Sequence, residues 1–238
     1  MSKRSNIARS RMALALLIAV VLPAESARAS GLAAADGHPL YELPAPGSYE
    51  LPVIHRLARH ELLSASGETV SLLDLPTGSC AVVSFVYASC PDAGGCPLVL
   101  SSLRRLDRAL AARAALASRV QIVTVSFDPA RDSPARMAML RDHLEPIGAW
   151  QFLTVASEQA IRPVLDDFGQ DALRLVAAED DRPLGVFRHV AKVFLVDSER
   201  AIRNVYSVGF LDHEILLLDI ETLLMEPRRA SRPEVGAR

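Results

Sequence analysis

The chain has 238 residues, of which 50% are hydrophobic and 23% are charged, and its formal net charge at pH 7 is −2. This is an ordinary globular composition, and the chain is long enough to bury a self-sufficient core. The slightly negative charge argues against nucleic acid as the main partner, because neutralising phosphates requires a basic surface.

The first 29 residues have the pattern of an export signal. Basic residues precede an apolar run at residues 12–22, and small residues up to Ala29 follow it. We expect cleavage after Ala29 and a periplasmic protein. The apolar run of 11 residues is shorter than the roughly 20 that cross a bilayer as a helix. An inner-membrane anchor facing the periplasm is therefore the alternative to cleavage.

The remainder of the chain is predicted to have three parts. Residues 30–52 contain four prolines, a density that favours an extended leader. Residues 53–226 form the single domain, and residues 227–238 form a polar tail rich in arginine.

Within the domain, the hydrophobic pattern predicts alternating strands and helices. In chain order these are a strand hairpin at 61–64 and 69–73, a strand at 81–87, a helix at 98–117, a strand at 120–126, a helix at 133–144, a strand at 151–155, a helix at 158–168, a second hairpin at 173–178 and 185–188, strands at 190–196 and 202–208, and a final helix from Asp212 to Met225. This order describes an α/β sandwich.

Two cysteines and one histidine are the residues with the most specific chemistry. Cys90 and Cys96 follow the strand at 81–87 and lead into the helix at 98–117, and His189 stands just before the strand at 190–196. Thiolates are soft donors that favour Cu(I), and an added imidazole also tolerates Cu(II). Paired thiols in an exported protein are also a redox couple. The sequence therefore points to copper or to electron transfer.

The element order is that of a thioredoxin-like fold with a peroxiredoxin-type N-terminal hairpin and an inserted hairpin before the last sheet strands. Several short motifs sharpen this likeness. They are F-V-Y-A-S-C-P at 85–91, C-P at 96–97, V-S-F-D-P at 125–129, R-D-S-P at 131–134, R-H-V at 188–190 and F-L-V-D at 194–197. With these motifs, the stretch from about residue 61 to 225 resembles the Sco/SenC family of copper chaperones for cytochrome c oxidase.

The resemblance implies a copper-binding carrier rather than a turnover enzyme. Its metal ligands would be Cys90, Cys96 and His189, binding Cu(I) or Cu(II). Its client would be the copper-bearing subunit of cytochrome c oxidase or another thiol protein, served by copper delivery or by thiol reduction. This chain departs from the family in one respect, because five residues separate its cysteines where the family normally has three. Gly94 and Gly95 in this spacer are permissive backbone that could let the loop fold back.

Two other interpretations of the cysteine pair remain. The first is a metal-independent thiol–disulfide oxidoreductase, with Cys90 as the attacking and Cys96 as the resolving thiol of a redox pair. The second is an interaction module with a purely structural disulfide. For catalysis or metal binding the thiol pKa should be lowered, and we expect the helix dipole to favour Cys96, which lies closer to the predicted helix.

The other ionisable residues have simpler interpretations. Cys80 begins a predicted buried strand and is expected in the core. The remaining histidines fit no ligand spacing. Asp128 and Asp132 are candidate acids or bases, but a loop turn and a helix cap explain them equally well.

Overall fold

The computed structural model describes residues 43–179 and 183–226. The predicted export signal, residues 30–42 of the predicted leader, most of the acidic turn at 179–181 and the predicted tail lie outside the described residues. In the part of the chain that the structure describes, no helix has the length and apolar character needed to cross a membrane.

The described residues form ten strands and five α-helices. In chain order they are β1 (His55–Arg56), β2 (Glu61–Ser64), β3 (Thr69–Ser71), β4 (Cys80–Val86), α1 (Cys96–Ala111), α2 (Ala114–Ala117), β5 (Val120–Ser126), α3 (Pro134–Leu144), β6 (Trp150–Thr154), α4 (Glu158–Phe168), β7 (Ala172–Val176), β8 (Pro183–His189), β9 (Lys192–Asp197), β10 (Ala201–Ser207) and α5 (His213–Met225).

One eight-stranded sheet organises the domain, with the strand order β1-β10-β9-β4-β5-β6-β2-β3. Strands β4, β5 and β6 run parallel, and β9 pairs antiparallel with β4. All seven residues of β4 are buried, because helices and loops cover both faces of a central parallel strand. Strands β7 and β8 form a separate two-stranded sheet, which is the predicted inserted hairpin.

Helix α1 begins earlier and ends earlier than the sequence predicts. It starts at Cys96 itself, with Gly95 as the N-cap residue and Pro97 in the first turn, and it ends at Ala111. The predicted single helix to residue 117 is therefore wrong, because the chain turns at Arg113 before the short helix α2. This turn returns the chain so that Val120 of β5 lies opposite Cys80 of β4.

The second hairpin is longer than predicted, and this changes the location of His189. Strand β8 continues to His189, which pairs with Ala172 of β7, and β9 begins only at Lys192. Gly185 of β8 has a φ of +77°, a backbone conformation that glycine adopts at little cost. The carbonyl oxygen of Gly185 accepts a hydrogen bond of 2.8 Å from the Arg131 guanidinium.

Residues that precede the predicted start of the domain at residue 53 already pack onto the domain. Strand β1 was not predicted, and it pairs with β10 at the sheet edge. Within the predicted leader, Leu51 is already buried, and the Tyr49 hydroxyl donates a hydrogen bond to Asp219 of α5. Side-chain hydrogen bonds thus attach this segment to the last helix.

Candidate metal centre

Three elements carry the predicted ligands to one end of β4. Cys90 lies in the loop that follows β4, and Cys96 is the first residue of α1. His189 is the last residue of β8. Because β4 is buried in the middle of the sheet, the loop after it starts from a rigid position.

Cys96 and His189 are in direct contact. The His189 Nε2 atom lies 3.8 Å from the Cys96 Sγ atom, and the residue Cys96 is only 1% exposed. The other ring nitrogen, Nδ1, lies 3.5 Å from the carbonyl oxygen of Phe187. When Nδ1 carries the proton and donates a hydrogen bond to this carbonyl, Nε2 is unprotonated and its lone pair faces the sulfur. An imidazole in this tautomer can bind a metal through Nε2.

Aromatic rings hold the imidazole in this position. The His189 ring lies 5.1 Å from the Phe127 ring and 5.8 Å from the Tyr87 ring, measured between centroids. Phe187 packs against both of these residues, with centroid separations of 5.1 Å. Packed rings limit the rotation of the imidazole and exclude water from its apolar side.

Cys90 is more exposed than Cys96, and its loop is a compact turn. The Cys90 thiol lies 3.8 Å from the carbonyl oxygen of Asp92, to which it can donate. The same carbonyl accepts a 3.0 Å hydrogen bond from the Gly95 backbone, and the Asp92 carboxylate accepts one of 2.9 Å from Gly94. The five-residue spacer is thus ordered by Asp92, and all three cysteines of the chain are free thiols.

The predicted lowering of the Cys96 pKa is wrong. Burial raises the pKa of this thiol to about 12, and the neighbouring Cys90 thiol raises it as well, while a backbone hydrogen bond at Tyr87 acts in the opposite direction. The position at the start of a helix favours the thiolate, but desolvation of the charged form is the larger effect. The Cys90 thiol is therefore close enough to Cys96 to affect the ionisation of Cys96.

The structure brings Cys96 close to each of the other two predicted ligands. Cys96 adjoins both His189 and Cys90. Within residues 43–179 and 183–226, however, no three histidine, cysteine, aspartate or glutamate side chains are close enough together to hold a metal ion as they stand. The donor set suits copper chemically, and Cys90 is the member whose thiol is turned to a backbone carbonyl instead.

Asp132 fixes the loop that carries Cys90, a role that sequence reasoning missed. Its buried carboxylate accepts hydrogen bonds of 2.9 Å from the Ala88 backbone and 2.6 Å from the Ser126 hydroxyl. It does not cap α3, because the N-cap residue of that helix is Ser133. Burial raises the pKa of Asp132, against the effect of these hydrogen bonds. In the sequence, only its place in the R-D-S-P motif pointed to Asp132.

Asp128 is an ion-pair partner and not a free acid or base. It is fully buried, and it accepts a 2.8 Å hydrogen bond from Arg174 of β7. The Arg174 guanidinium also lies 4.6 Å from the centroid of the Phe187 ring. Arg174 therefore ties the β7–β8 hairpin, and with it His189, to the loop after β5. Nothing in the sequence around Arg174 indicated this contact.

Cys80 is fully buried in β4 and is a core residue, as predicted. His55 and His60 both contact the carboxylate of Asp167, at 2.8 and 2.7 Å.

The SCO1/SenC family model matches residues 54–225. The chain belongs to the SCO1/SenC family. The resemblance seen in the motifs is thus confirmed, although no curated protein sequence matches the chain significantly.

Solved Sco structures share the fold of this Sco protein. ScoI of Arabidopsis thaliana with copper bound is 20% identical, with a TM-score of 0.58 over 71% of this chain and 97% of that one. A SCO1/SenC family lipoprotein from Bacillus anthracis is 22% identical, with a TM-score of 0.60. The match covers 72% of this chain and 96% of the lipoprotein. BsSco, a member of the Sco family of cytochrome c oxidase assembly proteins with a disulfide switch, is 20% identical, with a TM-score of 0.56. The match covers 73% of this chain and 96% of BsSco. These similarities confirm the predicted thioredoxin-like α/β fold.

Proposed function

We propose that this Sco protein binds one copper ion through Cys90, Cys96 and His189 and assists assembly of the binuclear copper site of cytochrome c oxidase. The contact between Cys96 Sγ and His189 Nε2, at 3.8 Å across 93 residues of sequence, carries this proposal. Copper-bound relatives and a relative in oxidase assembly support it at the level of the family.

Copper is the cargo of such a carrier, and the donor set is suited to holding it in both oxidation states. Two thiolates favour Cu(I), and the imidazole makes the site tolerant of Cu(II). Each thiol must lose its proton to become a ligand, so binding at Cys96, whose pKa burial raises to about 12, releases a proton and becomes tighter as the pH rises.

The spacer has to change for all three donors to converge. The Cys90 thiol must leave the carbonyl oxygen of Asp92 and turn toward Cys96. Gly94 and Gly95 lie between Asp92 and α1, and their lack of a Cβ atom widens the range of backbone conformations open to this turn. We therefore propose a loop that closes around the copper ion and opens for its release.

We propose that this activity lies in the periplasm, with the protein either free or anchored by its N-terminal segment, because the first 29 residues have the pattern of an export signal. The lipoprotein relative from Bacillus anthracis is consistent with a protein that works outside the cytoplasm. The copper-bearing subunit of the oxidase is the client that we propose.

Thiol reduction of that client is the second candidate function. Cys90 would attack a client disulfide, Cys96 would resolve the mixed disulfide, and the client would leave as a dithiol while Cys90 and Cys96 become a disulfide. The proximity of Cys90 to Cys96 favours this candidate. The contact of Cys96 with His189 favours copper, because thiol exchange needs no imidazole ligand.

An anaerobic titration of the reduced, mature protein with Cu(I) and a competing chelator tests the proposal. Wild type should bind one copper per chain, and His189→Ala should lose at least about tenfold in affinity because one donor is removed. His143→Ala is the matched control, since this exposed histidine lies on α3. Unchanged affinity in His189→Ala would contradict the proposal and leave thiol exchange as the better account.

A further inference from the structure

A groove of about 760 Å³ lies beside the candidate metal centre, between α4 and the β7–β8 hairpin. We define this His189 groove by Ile161 and Leu165 of α4, Leu173 and Arg174 of β7, and His189 itself. We propose that it binds an extended segment of the protein that receives the copper. This inference rests on the proposed carrier function and adds the surface where the client docks.

The groove is continuous with the candidate metal centre. His189 lines the groove, and its Nε2 atom contacts the Cys96 sulfur. Phe127 and Phe187, which hold the imidazole, line the groove as well. A client segment bound here would therefore bring its own metal ligands next to His189, which we propose as a copper ligand.

Two residues that line the groove, Gln170 and Arg174, each carry a buried side-chain atom without a hydrogen-bond partner. Gln170 is only 3% exposed, and its amide nitrogen donates to the carbonyl oxygens of Asp171 and Val190, but its Oε1 atom has no hydrogen-bond partner. The buried Nε atom of Arg174 has none either. A buried acceptor and a buried donor without partners are costly. A peptide unit offers one donor and one acceptor, so a polypeptide in the groove would satisfy both atoms once the two side chains turn them toward it.

The strand beside the groove has a free edge. Among the described residues β7 pairs only with β8, which leaves its other edge without a partner strand. Two large apolar side chains stand on the rim, Leu173 at 53% and Val190 at 59% exposed. An unpaired edge with exposed apolar side chains is the arrangement to which extended peptides add as a further strand.

The charges of the groove favour a neutral polypeptide over an anionic ligand. Cations and anions are balanced in its lining, with Arg162, Arg174 and Arg188 against Glu158, Asp166 and Asp171. Arg174 is moreover paired with Asp128 and Glu158. A groove for phosphate groups would need an excess of free cations.

The test compares two substitutions in the same hairpin. Leu173→Asp places a charge on the groove rim, whereas Leu184→Asp is the control at a similarly exposed leucine of β8, at 49%, which does not line the groove. The probe is the purified soluble copper domain of the oxidase subunit, reduced and metal-free. Both the Kd for this domain and the affinity for Cu(I) are measured for wild type and both variants.

We expect Leu173→Asp to raise the Kd for the domain at least tenfold, Leu184→Asp to change it less than twofold, and both to keep the wild-type copper affinity. Hydrogen exchange of the backbone amides at 172–176 should slow when the domain is added. The inference is overturned if the two variants bind the domain alike, if wild type does not bind it, or if exchange in β7 is unchanged. A wild type that binds the domain but no copper would instead overturn the proposed carrier function alone.

Discussion

His189 Nε2 lies 3.8 Å from Cys96 Sγ, although the two residues are 93 positions apart in the chain. The fold creates this contact by ending the β7–β8 hairpin at the start of α1. This imidazole nitrogen and this buried sulfur are two of the three donors of the copper site that we propose. In that proposal Cys90, at the start of the five-residue spacer, supplies the second sulfur when the loop turns inward.

The three cysteines should differ strongly in reactivity toward iodoacetamide. Cys90 is partly exposed, whereas burial raises the pKa values of Cys80 and Cys96 to about 12. Because only the thiolate reacts, each buried thiol should be on the order of a thousandfold slower than an ordinary thiol near pKa 8.5. Mass spectrometry of the native, reduced protein at pH 8 gives the order. Modification of Cys80 before Cys90 would contradict the structure.

Removing the Asp132 carboxylate should loosen the loop that carries Cys90. In Asp132→Ala the Ala88 backbone amide and the Ser126 hydroxyl lose their acceptor. We expect the free energy of unfolding to fall by about 2 to 4 kcal/mol, since two buried donors are left unpaired. Urea denaturation measures this change, and Asp142→Ala, an exposed residue of α3, is the control. Equal stability of the two variants would show that Asp132 does not fix the loop.

Sequence patterns sufficed for the fold and for most of its elements; β1 and the division between α1 and α2 were the exceptions. The apolar run of β5 and the capping residue of α5, Asp212, are local signals, and the structure has these elements within one residue of the predicted bounds. The boundaries around His189 were less accurate, because β8 continues to His189 through its pairing with Ala172 of β7. That pairing is a tertiary contact with little local pattern.

The local environment of the site was not predictable from the sequence. A position at the start of α1 suggests a lowered pKa for Cys96, but its burial, which depends on the whole fold, reverses the direction. The partners of Asp132 and Asp128 lie on other elements, so spacing along the chain could not reveal them. Family motifs identified which residues matter, and the structure shows which of them touch.

Asp167 should stabilise the fold in a pH-dependent manner. Burial acts to raise its pKa, but hydrogen bonds from His55, His60 and the Ala58 backbone outweigh burial and lower it below the usual 3.8. A carboxyl group with a depressed folded pKa stabilises the protein above its unfolded pKa and loses this contribution as the pH falls. Asp167→Asn should therefore cost about 1 to 2 kcal/mol at pH 7, and the difference from wild type should shrink below about pH 4.

Urea denaturation of wild type and Asp167→Asn between pH 3 and 8 checks this profile. Asp166→Asn is the matched control, because Asp166 is the exposed neighbour on α4. A difference that stays constant over the whole pH range would show that the carboxylate charge of Asp167 is not the stabilising feature.

X-ray absorption spectroscopy of the Cu(I)-loaded, full-length protein tests the proposed copper site most directly, because it counts the donor atoms around the metal. We predict two sulfur donors and one imidazole nitrogen in wild type, with the nitrogen absent in His189→Ala and present in His143→Ala. A wild-type spectrum with sulfur donors alone, unchanged by His189→Ala, would contradict the convergence of Cys90, Cys96 and His189 on one ion.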